Sequence, residues 1–331
     1  MPDIDRRRAL AWACGASLLT SPLLGRAAAP YPALDRPALQ ARMPHRCVLL
    51  SIAKAGTRLV AVGEHGIVVL SDDDGIHWRQ AASVPTSVTL TAVHFVDARS
   101  GWAIGHGGVI LRSDDGGERW GRQADGRTLA SGADKPLLDL HFFDADRGFV
   151  IGAYNLCFET RDGGRSWMSA MDRLSNPKAL HLHAIRADGD ALHIVGEQGL
   201  MLRSLDGGRS FLRTPSPYAG SLFSLAVPKP QTLIAAGLRG NVFASQDRGA
   251  SWAGVAGAPP ASIVASTIGA DGALLFINQS GQLLVRRGDG PLQVLNLPPL
   301  PPLADLLALA DGTLVAVGFS GVARLPAGAA R

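Results

Sequence analysis

Apolar and polar positions recur along this chain in blocks. Four apolar residues, Leu59-Val60-Ala61-Val62, stop at Gly63. After Glu64 and His65, Gly66 opens a second apolar run, which ends in Ser71-x-Asp73-x-Gly75 and then Trp78. The same order returns from Gly101 to Trp120, Gly148 to Trp167, Leu192 to Phe211 and Leu233 to Trp252. Two shorter copies begin at Leu274 and Leu314. An apolar run, a short link bounded by Gly and a second apolar run predict a tight hairpin of two buried strands. The first run of each copy ends at Gly63, Gly105, Gly152, Gly196, Gly237, Asn278 and Gly318, at spacings of 42, 47, 44, 41, 41 and 40 residues. Strand-built units with a period near forty predict a β-propeller, here all-β with seven blades.

The closing motif of each copy has a structural reason. A short Asp side chain accepts hydrogen bonds from turn N–H groups. Gly supplies a backbone conformation that other residues resist. The aromatic residue carries a large apolar surface into the next strand. Asp73, Asp115, Asp162, Asp206 and Asp247 therefore read as turn staples, not as catalytic acids.

The motif Ser-x-Asp-x-Gly-x-x-Trp resembles the Asp-box, or BNR repeat, found in sialidases, sortilin-type receptors and photosystem II stability/assembly factors. The lead-in His94-Phe95-Val96-Asp97 and its counterpart His141-Phe142-Phe143-Asp144 are most similar to the last group. The resemblance covers roughly Cys47 to Arg324. It implies a non-catalytic scaffold that binds a membrane or envelope protein and assists its assembly. In that family an Arg-bearing propeller face is implicated in holding the partner, and Arg239 falls on the equivalent face.

Each hairpin is preceded by an inner strand, such as Leu90–Val96 or Leu137–Phe143, and followed by an outer one. The final copy stops at Leu325 without an outer strand. The segment Arg36-Pro37-Ala38-Leu39-Gln40-Ala41 resembles the outer strands of other copies. The expectation is a ring closed by the N-terminal strand in blade seven, with Leu39 buried there, because closure protects sheet edges.

The first residues change the compartment. Arg6-Arg7-Arg8, an apolar stretch to Leu24 and then Arg26-Ala27-Ala28-Ala29 read as a twin-arginine-type export signal over residues 1–29, leaving the propeller at 30–331 in the periplasm. The chain carries a net charge of +4. Arg6, Arg7, Arg8 and Arg26 against Asp3 and Asp5 account for half of it, and the remainder is too weakly basic for a nucleic-acid binder. A hydrophobic content of 47 % with no long apolar span after the signal fits a soluble propeller with a large core, expected to be monomeric by itself. Cys47 and Cys157 lie in blades one and three, too far apart to bridge, and read as two buried free thiols.

Interaction sites on such scaffolds sit on loops. The face that carries the hairpin links, opposite the Asp-boxes, holds the candidate binding residues Glu64, His65, His106, Tyr154, Asn155, Glu197, Gln198, Leu238, Arg239, Gln279 and Phe319. Chemistry is poorly supplied. The alternative function is a sialidase-like glycosidase, which needs paired carboxylates. The four Glu (Glu64, Glu118, Glu159 and Glu197) are scattered, and no Arg triplet for a substrate carboxylate is evident. His94, His141 and His183 occupy similar inner-strand positions and would need to converge to hold a metal; they read as buried, hydrogen-bonded histidines. No cofactor and no metal are expected.

Overall fold

A computed structural model describes residues 31–129, 135–298 and 300–328. The expected export signal, residues 1–29, lies outside the described residues. Seven antiparallel sheets form a seven-bladed β-propeller. Blade one runs Leu49–Ala55, Arg58–Gly63, Val68–Ser71 and Arg79–Gln80, paired in that order. Blades two to six repeat the plan from Leu90, Leu137, Leu182, Leu222 and Ile263. The second strand of each blade is buried on both faces, the environment that an uninterrupted apolar run requires.

Neighbouring blades are joined in three layers. At the channel, each inner strand carries a bulge two residues after its first Leu or Ile, as between Leu49 and Ser51 or Leu303 and Asp305. The side chain there can reach the next blade: Asp139 accepts the Ile185 N–H at 2.9 Å and Asp305 the Ile52 N–H at 3.0 Å. On the box face, the glycine turn of one blade covers the residue three before the closing glycine of the preceding blade's second strand. Gly117 lies against Val60, Gly208 against Phe149, Gly249 beside His193 and Gly75 against Val315. Third, an arginine of the preceding blade bonds a carbonyl of the same turn. Arg58 reaches Gly116, Arg112 reaches Gly163, Arg147 reaches Gly207, Arg203 reaches Arg248 and Arg324 reaches Asp74.

These contacts correct the expected closure. Among the described residues blade seven has three strands, Leu303–Ala308, Leu314–Gly318 and Gly321–Leu325. The N-terminal segment forms no strand in it. Asp305 and Arg324 of blade seven, with the packing of Gly75 on Val315, close the ring directly on blade one. The stretch 31–39 instead lies across blades one and two, and the turn Pro44–Arg46 rests against Gly321 of blade seven. The Ala38 and Leu39 N–H groups bond the Val84 and His65 carbonyls, and Leu34 is buried between blades one and two. Pro32 and Pro44 each start a short helical turn, so the segment cannot run as one edge strand. Leu39 is 50 % exposed, not buried against blade seven. The two free thiols also differ: Cys157 is buried, with its pKa pushed up to about 12 by burial, whereas Cys47 is half-buried.

The Ser-x-Asp-x-Gly turns have the geometry that their chemistry requires. In blade two, Ser113 Oγ donates to Asp115 at 2.9 Å and accepts the buried Gly117 N–H at 2.9 Å. Asp115 also accepts the Arg119 N–H at 2.9 Å, and the Trp120 indole N–H closes on the Gly117 carbonyl at 2.9 Å. Blades one, three, four and five repeat the Ser/Thr–Asp–Gly pattern.

Candidate binding face and channel

The hairpin links all emerge on one face. In blades one to five each is a single 3₁₀ turn whose second residue is left-handed: His65, Gly107, Tyr154, Gln198 and Arg239, with φ between 51 and 68°. Holding non-glycine residues there costs conformational energy, which the surrounding ladders sustain. The reward is that the side chain stands clear of the turn. His65, His106, Tyr154, Gln198, Leu238, Arg239, Gln279 and Phe319 are exposed.

Two expected site residues are instead committed to the fold. Asn155 donates to the Met171 carbonyl and accepts from Asn176, and Glu197 accepts the His181 N–H at 3.2 Å. Glu64 is half-buried. The N-terminal segment takes up part of the face over blades one and two, with Tyr31 and Leu34 against Gly107. The part of the face not crossed by that segment runs from Tyr154 round to Phe319.

A line of rings leads from that rim inward, and only part of it was named from sequence. Lys135 Nζ sits 4.9 Å from the centre of the Tyr154 ring. His181 meets Tyr154 at 4.5 Å, His183 follows at 6.4 Å, and Phe223 lies 5.2 Å beyond. His183 Nδ1 is 2.9 Å from the Leu222 carbonyl. It does not join His94 and His141, whose rings are 5.5 Å apart. Among the described residues no group of three potential metal ligands occurs. Burial, with the Arg186 charge nearby, pushes His94 down to about 4; burial, with His94 beside it, pushes His141 down to about 3. Both rings are therefore neutral at pH 7.

The inner strands enclose a cavity of about 600 Å³. Its wall carries an ion pair, Arg186 to Asp139 at 2.5 Å, a Ser224–Ser266 hydroxyl pair at 2.6 Å, and Asp305. Burial raises the Asp305 carboxyl to about 6, against the opposing bonds from Ile52 N–H, Leu306 N–H and Ser51 hydroxyl. The sequence held a signal for these groups: polar residues at one recurring place, Ser51, Asp139, Ser224 and Asp305, each two residues after the first strand residue.

The structure also holds an Arg triplet that sequence reasoning missed. Arg161 and Arg173 meet the fully buried Glu159 at 2.9 and 2.7 Å, with Arg147 at 3.8 Å. The three guanidiniums neutralise an internal carboxylate, and Arg147 and Arg173 also bond carbonyls of blade four's box turn. Such a set ties blades three and four together and leaves no clamp for a substrate acid.

No curated protein matches the chain. Residues 123–283 match the family model described as photosynthesis system II assembly factor YCF48. Among solved structures, YCF48 bound to a D1 peptide is 16 % identical, covers 86 % of this chain and 97 % of its own, and superposes with a TM-score of 0.67. YCF48 from Cyanidioschyzon merolae is 14 % identical, covers 87 % and 97 %, and gives the same TM-score of 0.67. The WD40 propeller of Doa1 gives 0.64 at 12 % identity, with coverage of 88 % and 95 %. At these identities the superpositions establish the fold: the chain is a seven-bladed β-propeller whose residues 123–283 are similar to the photosystem II assembly factor family.

Proposed function

We propose that the protein is a non-catalytic, exported scaffold that binds a polypeptide segment of an envelope or membrane protein and assists its assembly or stability. The observation that carries this reading is the part of the rim left open by the N-terminal segment. There Tyr154, Leu238 and Phe319 are exposed at 53, 37 and 61 %, beside the cations Lys135 and Arg239. Exposed apolar side chains set among charges on a rigid ring suit a protein partner better than a small substrate. The D1 peptide bound to the similar YCF48 propeller supports the same kind of ligand.

The test is capture of the membrane partner by the full chain. Tyr154→Ala, Arg239→Ala and Phe319→Ala combined should weaken capture about tenfold or more, as loss of aromatic and Arg anchors does, with Tm unchanged. Undiminished capture would refute the reading. For export, replacing Arg6 and Arg7 by Lys should strand the protein in the cytoplasm, and fractionation reads the result.

A further inference from the structure

Among the described residues blade seven ends one strand short, and no strand covers its third strand where six others are covered. In blade one the fourth strand pairs Val69 with Gln80 and Leu70 with Arg79, and in blade six it pairs Leu284 with Val294. Among the described residues Gly321–Leu325 has a strand neighbour on one side only. Its register, Val317 with Val322 and Ala316 with Ala323, matches Val62 with Val68 and Ala61 with Val69. Val322 and Arg324 therefore stand where Val68 and Leu70 stand, and the Val68 carbonyl accepts the N–H of Ala81, the residue that follows the fourth strand. Backbone groups of alternate residues point the same way. Those of Val322 and Arg324 face outward, and among the described residues no backbone group bonds them from that side.

The surroundings are basic. The turn Pro44–Arg46 crosses the top of this edge, with its His45 carbonyl and Arg46 backbone against Gly321. Arg42 and Arg46 are exposed. Neither enters an ion pair among the described residues, whereas Arg58, Arg79, Arg112 and Arg127 all do. The Arg324 guanidinium bonds the Asp74 carbonyl, and its charge also reaches Asp311, with no ion pair among the described residues.

We infer that this edge is a docking site for an extended, acid-flanked segment of a partner protein, which adds itself to blade seven as an antiparallel fourth strand. Charge selects this occupant. A second copy would set Arg324, Arg42 and Arg46 against their own images, a repulsive arrangement. Residues 1–30 of this chain bring Arg6, Arg7, Arg8 and Arg26, again the same sign. The inference rests on the reading of the protein as a polypeptide-binding scaffold, but it uses a surface separate from the hairpin rim.

The probe is the blocked peptide Glu-Thr-Val-Thr-Val-Glu with the full chain at low salt. Binding should slow hydrogen exchange at the Val322 and Arg324 amides. The double variant Arg42→Glu with Arg46→Glu lies on exposed side chains and should fold; it should bind about tenfold or more weakly. A peptide with Lys in place of both Glu should lose binding similarly. The proposal falls if millimolar peptide does not bind, if protection appears only at the hairpin links, or if sedimentation shows self-association through this strand. Partner capture separates the two readings. If the peptide fails while capture still depends on Tyr154, Arg239 and Phe319, the edge site alone is wrong; if capture depends on neither surface, the scaffold reading fails as well.

Discussion

The junctions that carry a box turn and the one between blades six and seven are built from the same strands but closed differently. Between blades one and two, the Gly117 turn fills the space over Val60 and is held by Ser113, Asp115, Trp120 and the Arg58 guanidinium. Blade seven has no box, because its third strand runs into Pro326-Ala327-Gly328. Where its turn would cover Leu275, the counterpart of Val60, a hollow of about 290 Å³ remains, lined by Leu275, Leu314 and the loops at Asp271 and Asp311. The seam between blades seven and one recovers a box, from blade one, and adds the bond from the Ile52 N–H to the half-buried Asp305. The box is thus a plug placed on the preceding blade, and where blade seven has none a hollow remains beside Leu275.

The hardest blow to that comparison is the loss of a plug. Trp120 is 4 % exposed and packs edge-on against Phe95 at 5.9 Å. Trp120→Ala should cost about 3–5 kcal/mol in chemical denaturation. A smaller loss, comparable to an exposed site, would show that the turn does not seal the junction.

The second test separates the seam from the boxes by pH. Burial raises the Asp305 carboxyl to about 6. The protonated form is favoured in the fold, so stability should fall as pH rises from about 4 to about 6, by about 3 kcal/mol for a shift of this size. Box carboxylates have the opposite sign. The His77 N–H and ring hold Asp73 at about 2, and the Ser166 and Ser251 hydroxyls and N–H groups hold Asp162 and Asp247 at about 2. Their contribution is present at neutral pH and is lost as pH falls below about 4. Asp305→Asn should flatten the decline between pH 4 and 6 and leave the acid limb unchanged. A decline that persists in the variant would assign it to another group.

The smallest effect tests one bond. Ser113→Ala leaves the buried Gly117 N–H without its acceptor and should cost about 1–3 kcal/mol, with partner capture unchanged. Lost capture at full stability would give the box a role in binding.

Much of this was legible in the chain. Periodic glycines and apolar runs marked seven hairpins, because a strand buried on both faces requires continuous apolar residues and a tight link requires left-handed positions. The hairpin rim followed from strand alternation alone. Less of the candidate site was legible. Asn155 and Glu197 looked like their exposed neighbours, and only the path of the chain near Met171 and His181 showed them occupied. Residues 36–41 matched the composition of an outer strand, yet they lie over blades one and two; a two-residue strand carries too little pattern to fix its partner.

The sequence by itself determined the unit: its strands, its turns and how many times they recur, since these depend on neighbours within a few residues. The tertiary structure decided how units meet. Ring closure through Asp305 and Arg324, the neutralised Glu159 and the open edge of blade seven all depend on groups tens to hundreds of residues apart, and no local preference encodes which distant carbonyl or carboxylate a side chain will find.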